Sequence, residues 1–109
     1  MNLQELHEIL QATGMPVAYS HFTESDTEPL PTPPFVVYLC TYSSHFHADS
    51  KVYKYIDNVQ IELYTSKKDL DAESRIEEVL NDNEIPFQTI ETYIESEQLF
   101  QKIYEVRLV

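Results

Sequence analysis

Val59-Gln60-Ile61-Glu62-Leu63 alternates apolar and polar side chains along its whole length. On an extended backbone successive side chains point to opposite faces, so this stretch predicts a β-strand buried on one side. Upstream, Val52 to Ile56 belongs either to the same long strand or to a hairpin partner. Farther upstream, Phe35-Val36-Val37-Tyr38-Leu39-Cys40-Thr41-Tyr42 is apolar or aromatic at both parities. That pattern predicts a strand covered on two faces, or one covered partly by another subunit. The polar segment between the two, Ser43 to Ser50, reads as a loop.

Downstream, Ala72, Ile76, Val79 and Leu80 fall on one helical stripe within Asp69 to Asp82, with Asp71, Glu73, Glu77 and Glu78 largely off it. Ser66 supplies an imperfect capping box, and Asn81 to Asn83 with Pro86 supply the stop. Phe87 to Ile94 and Leu99 to Leu108 then read as two strands joined by a turn at Glu95 to Gln98. At the other end, Leu3, Leu6, Ile9 and Leu10 give Asn2 to Thr13 the spacing of an amphipathic helix, with Asn2 as its N-cap. Gly14, the only glycine, suits a left-handed residue closing that helix, and Pro16 prevents continuation. The predicted fold is α+β: a mostly antiparallel sheet of four to five strands, with two helices packed on one face. Residues 1–109 form one domain without internal repeats.

Residues 20–34 have no apolar periodicity. They carry Glu24, Asp26 and Glu28, then Pro29, Pro31, Pro33 and Pro34. The segment reads either as a stiff, acidic, extended arm able to reach a neighbouring molecule or as a long surface loop.

Composition bounds the function. Hydrophobic residues make up 42% of 109, too many for a disordered chain. No apolar run approaches the roughly 18 residues of a membrane span, the longest candidate being Phe35 to Cys40. A single cysteine and the lack of a basic start followed by an apolar run point to folding inside the cell. The net charge of −12 repels phosphate backbones and disfavours direct nucleic-acid binding.

The residues that could carry chemistry are few. His45, His47 and Asp49 would place two imidazoles on one side of an extended chain, but no Cys/His cluster elsewhere supplies further metal ligands. Cys40 lies in the most apolar run, where a thiol serves as a small hydrophobe and desolvation opposes the thiolate. Glu77, Glu78, Asp71 and Glu73 read as a solvated helix face, and His7 and His21 as surface residues. One glycine excludes a phosphate-cradling loop or a dinucleotide fingerprint. These features predict neither an enzyme nor a cofactor-binding protein.

Four segments carry a resemblance: Gly14-Met-Pro-Val-Ala-Tyr-Ser-His-Phe22, Pro33-Pro-Phe-Val-Val-Tyr-Leu39, Phe46-His-Ala-Asp49 and Ile61-Glu-Leu-Tyr-Thr-Ser-Lys-Lys-Asp69. Together they resemble the small tail terminator, or tail-completion (head–tail joining), proteins of long-tailed phages and prophages of Gram-positive bacteria. The resemblance implies a virion tail protein made in the host cytoplasm, whose subunits form a ring, typically of six. It implies partners in a second copy of the chain, the tail-tube protein and the head connector. DNA would pass through the ring without specific binding. Phe46, Ala48 and Asp49 match the family-like loop, and Phe35, Val36, Val37 and Tyr38 the apolar strand. These seven are the candidate interface residues. The competing reading is an acidic inhibitor or DNA mimic that occupies the groove of a basic partner.

Overall fold

The structure, a computed structural model, describes residues 1–23, 30–48 and 51–108, and for residues 42–48 and 51–55 the backbone alone. Seven elements follow in order: α1 (Leu3–Gln11), β1 (Val17–Tyr19), β2 (Phe35–Ala48), β3 (Lys51–Thr65), α2 (Leu70–Asp82), β4 (Phe87–Ile94) and β5 (Leu99–Leu108). The five strands form one sheet in the order β1-β2-β3-β5-β4, antiparallel except for the β1–β2 pair. The fold is therefore α+β, as the alternation in β3 and the two helical stripes predict.

β3 is the central strand, paired with β2 on one side and β5 on the other. Its residues Val59, Ile61 and Leu63 are at most 2% exposed, whereas Gln60, Glu62 and Tyr64 are half-buried. One buried cluster joins them to Val36 and Tyr38 of β2, Tyr104, Val106 and Leu108 of β5, Leu6 and Leu10 of α1, and Ala72, Ile76 and Leu80 of α2. At nine residues α1 is too short to persist in water alone. Burial of Leu6 and Leu10 stabilises it by about 1.5–3 kcal/mol per side chain.

Local signals act where expected at the N-terminus. The Glu5 amide donates to Asn2 Oδ1 at 2.8 Å, and Gly14 adopts φ +82° two residues past the Ala12 cap. The start of α2 differs from the Ser66 reading. Asp69 is the cap, its Oδ1 accepting the Ala72 amide at 3.0 Å. Aspartate needs no third-position glutamate to satisfy a first-turn amide.

Two further differences matter for function. First, β1 was not foreseen, because three residues show no periodicity. It is held by the Val36 amide donating to the Pro16 carbonyl and the Ser20 amide to the Tyr38 carbonyl, both at 2.8 Å. Adjacent parallel strands require a crossover of a dozen or more residues. Residues 20–34 make that return, and within them Glu24 to Pro29, part of the expected arm, lie outside the described residues.

Second, the segment expected to be a loop at Ser43 to Ser50 is strand up to Ala48. Register pairs continue from Ser43↔Asp57 through His45↔Tyr55 and Phe46↔Lys54 to Ala48↔Lys51. β5 ends against Asp57 and β1 against Tyr38, so residues 44–48 and 51–56 form a two-stranded ribbon beyond the sheet body. The radius of gyration is 15.3 Å and the longest dimension 50 Å. A compact domain of this length would have a radius of roughly 13 Å.

Core position sets the cost of substitution. Ile61→Ala is expected to lower the unfolding free energy by about 2–5 kcal/mol in a urea titration. Ile90→Ala, at a side chain 49% exposed, is expected to change it by less than about 0.5 kcal/mol.

Candidate interaction surfaces

The sheet offers a partner three kinds of surface: the face away from the core cluster, the two edges, and the ribbon. The first is built from the other parity of the strands. Phe35 stacks on Tyr64 with centroids 5.2 Å apart, and Phe22 meets Phe35 edge-on at 5.5 Å. Tyr64 donates its hydroxyl to Glu62 Oε2 at 3.0 Å and accepts from Gln101 Nε2 at 2.8 Å. Burial and the Glu62 charge push its phenol up to about 12, so Tyr64 stays neutral at physiological pH. Toward the opposite end of this face lies an open groove of about 640 Å³, lined among others by Thr41, Gln60, Phe87, Gln88 and Arg107.

The seven candidate interface residues divide between core, outer face and ribbon. Val36 and Tyr38 are 0% and 5% exposed within the core cluster and offer a partner almost no surface. Val37, of opposite parity, is also buried at 5%, while Phe35 is half-buried in the aromatic row. Val36 to Tyr38 are thus covered on both faces within one chain, whereas Phe35, Leu39 and Cys40 are half-buried and Thr41 is exposed. Phe46 and Ala48 fall on the ribbon strand, at register with Lys54 and Lys51. Asp49 lies outside the described residues.

Between α2 and the sheet lies a charge network that the helical wheel does not reveal. Glu73, expected on the solvated face, is 6% exposed. Lys102 Nζ donates to its Oε1 at 2.7 Å, and Lys68 Nζ lies 2.9 Å from its Oε2. Burial alone would push this carboxyl up, but the hydrogen bonds from Lys102 and Lys68 outweigh it and leave it below its usual range. Beside it Tyr104, fully buried, donates to Glu77 Oε2 at 2.9 Å. Burial, then the Glu77 carboxylate, holds the Tyr104 phenol far above its usual range. His7, expected on the surface, hydrogen-bonds through Nδ1 with the Tyr38 hydroxyl at 2.8 Å. Lys102, Tyr104 and Tyr38 come from distant strands and Lys68 from the segment before α2, and a single-helix stripe cannot reveal them.

The network fixes α2 on the sheet and is satisfied internally. Among the described residues no group of three or more His, Cys, Asp or Glu side chains could hold a metal ion. Cys40 is partly buried on β2.

The edges differ from one another. On one side β1 covers only Val36 to Tyr38, and beyond Tyr38 β2 pairs with β3 alone among the described residues. On the other, β4 presents eight residues with no strand outside it among the described residues, and exposes Ile90 at 49% and Tyr93 at 48%. Long exposed edges with apolar side chains are templates for pairing with another chain. Charge is uneven as well. Residues 44–56 carry Lys51 and Lys54 against Asp49, a net of +1, within a chain of net −12, so the remainder carries −13. From Glu84 to Gln98, around β4, there are four acids and no base.

No protein-family model and no curated protein matches this chain. No helix among the described residues is long and apolar enough to cross a membrane.

The Glu73 cluster makes a prediction about acid. A carboxyl held low in the folded state stabilises it fully above the unfolded value near 4.5, and the contribution is lost as pH falls through the lower folded value. Glu73→Gln is expected to cost about 1–3 kcal/mol at pH 7. In urea titrations across the acid range the difference from wild type should narrow steadily below about pH 4.5.

Proposed function

We propose that the chain is a non-enzymatic structural subunit of a phage tail, resembling tail terminators, that joins copies of itself head to tail into a ring. The ring caps the last layer of tail-tube protein and presents a docking surface to the head connector. The observation that carries this reading is a pair of unlike surfaces on one fold. The ribbon prolongs β2 and β3 along the strand direction, and β4 forms an open eight-residue lateral edge with exposed Ile90 and Tyr93. A closed ring of identical subunits needs two unlike, complementary patches on opposite sides of each subunit, whereas a two-fold dimer needs one self-complementary patch. The four resembling segments support the same reading, and the virion tail is the location it implies. An acidic body suits a conduit for DNA, because acids offer phosphates no counterion-release gain.

A second reading, an acidic inhibitor or DNA mimic, is favoured by the net charge of −12 alone. Light scattering coupled to size-exclusion chromatography, with and without purified tail-tube protein, separates the two. The terminator reading expects a multi-subunit species, either free or formed on the tube protein. A chain that stays monomeric and ignores tube protein, yet binds basic proteins in a salt-sensitive manner, would overturn it in favour of the mimic.

A further inference from the structure

We propose that the β2–β3 ribbon of one copy docks along the open β4 edge of a second copy. The inference rests on the ring-forming reading above and names the two surfaces that meet.

The ribbon's own physics calls for a partner. An isolated two-stranded hairpin is marginal in water, and beyond the Ser43↔Asp57 pair the ribbon strands have only each other as strand partners among the described residues. Its residues include Phe46, Val52, Tyr53 and Tyr55, β-formers in a segment that leaves the sheet body. β4 has the matching deficit. Its outer edge presents backbone donors and acceptors, flanked by Ile90 and Tyr93, with no strand to receive them among the described residues. Strand addition satisfies both, and each main-chain hydrogen bond formed contributes whatever the side chains are.

Charge selects this pairing from the others. The ribbon is the segment of net +1 with two histidines, in a chain that is otherwise strongly acidic. The stretch Glu84 to Gln98 holds Glu84, Glu91, Glu95 and Glu97 and no base, and of these Glu91 pairs with Lys68 at 2.6 Å, leaving Glu84, Glu95 and Glu97 as the acids that flank the edge. Two ribbons meeting each other, or two β4 edges meeting each other, would juxtapose like charges. Ribbon against β4 juxtaposes opposite ones, which steers the encounter and suppresses the symmetric alternatives. Because the ribbon prolongs β2 and β3 along the strand direction and the β4 edge is lateral, the two are separate surfaces, and the contact leaves a free ribbon and a free edge on each pair. Head-to-tail addition continues until it closes.

A charge-swap exchange tests the contact. Lys51→Glu/Lys54→Glu alters the ribbon only. Thr92→Lys/Glu95→Lys alters exposed positions at the β4 end. Circular dichroism and urea midpoints report whether each variant keeps the wild-type fold. In sedimentation velocity at low salt, wild type should self-associate and each variant alone should do so at least about tenfold more weakly. Mixed together, the two variants should regain association, because the acidic ribbon of one then faces the lysine edge of the other. Undiminished multimers of both variants would overturn ribbon docking while leaving a ring built on other surfaces. Wild type that stays monomeric at every concentration also overturns it, and the terminator reading then stands or falls on binding to tail-tube protein. Binding to tube protein that the ribbon variant loses and the edge variant keeps, with no association regained on mixing the two, assigns the ribbon to the tube and overturns the contact between copies.

Discussion

One row of side chains ties the sheet to both helices. Tyr38 of β2, Ile61 of β3 and Tyr104 of β5 are register partners across the three central strands, each at most 5% exposed. The two phenols end on different helices: Tyr38 on His7 of α1, Tyr104 on Glu77 of α2. A large ring can be buried this way only if its hydroxyl finds a partner at the far end. Because side chains alternate along a strand, a one-residue slip of β3 would turn Ile61 outward and separate both tyrosines from their helices. The same register places Lys102 of β5 within reach of Glu73, so the buried carboxylate depends on it as well.

With register set by that row, the ends of the sheet follow. β2 and β3 are 14 and 15 residues long, whereas β1 has 3 and β5 has 10. The two long strands therefore outrun their neighbours and leave as a ribbon, and β4 ends the strand order with a lateral edge. Natural sheets commonly blunt such edges with lysine, proline or a covering element. β4 itself contains neither lysine nor proline, and its charged residue is Glu91. Lys68, from outside the strand, pairs with that glutamate at 2.6 Å. On the proposed reading the edge is a surface for assembly.

Much of this architecture could be read in the chain itself. The period of two at Val59 to Leu63, the helical stripes around Leu6 and Ile76, and the turn at Glu95 to Gln98 are local patterns, and local patterns survive folding unchanged. What escaped was non-local. Val17 to Tyr19 becomes a strand only because Val36 and Tyr38 lie beside it. Ser43 to Ala48 is polar in sequence, and polarity alone does not distinguish a loop from a hairpin strand. Glu73 looks solvated until Lys68 and Lys102 arrive from elsewhere in the chain. Of the candidate interface residues, Val36 and Tyr38 were apolar for the sake of the core. The exposed pair Ile90 and Tyr93 lay in a strand that was foreseen without its edge position, which is a property of the sheet order and not of the segment.

The central claim is that the chain ends a tube by adding to it as a ring. Tail tubes polymerised from purified tail-tube protein, mixed with gold-labelled chain and imaged by electron microscopy, test it directly. The account predicts label confined to one end of each tube and tubes that stop lengthening once labelled. Label scattered along the walls, or tubes that grow unchanged with no label at their ends, would contradict it.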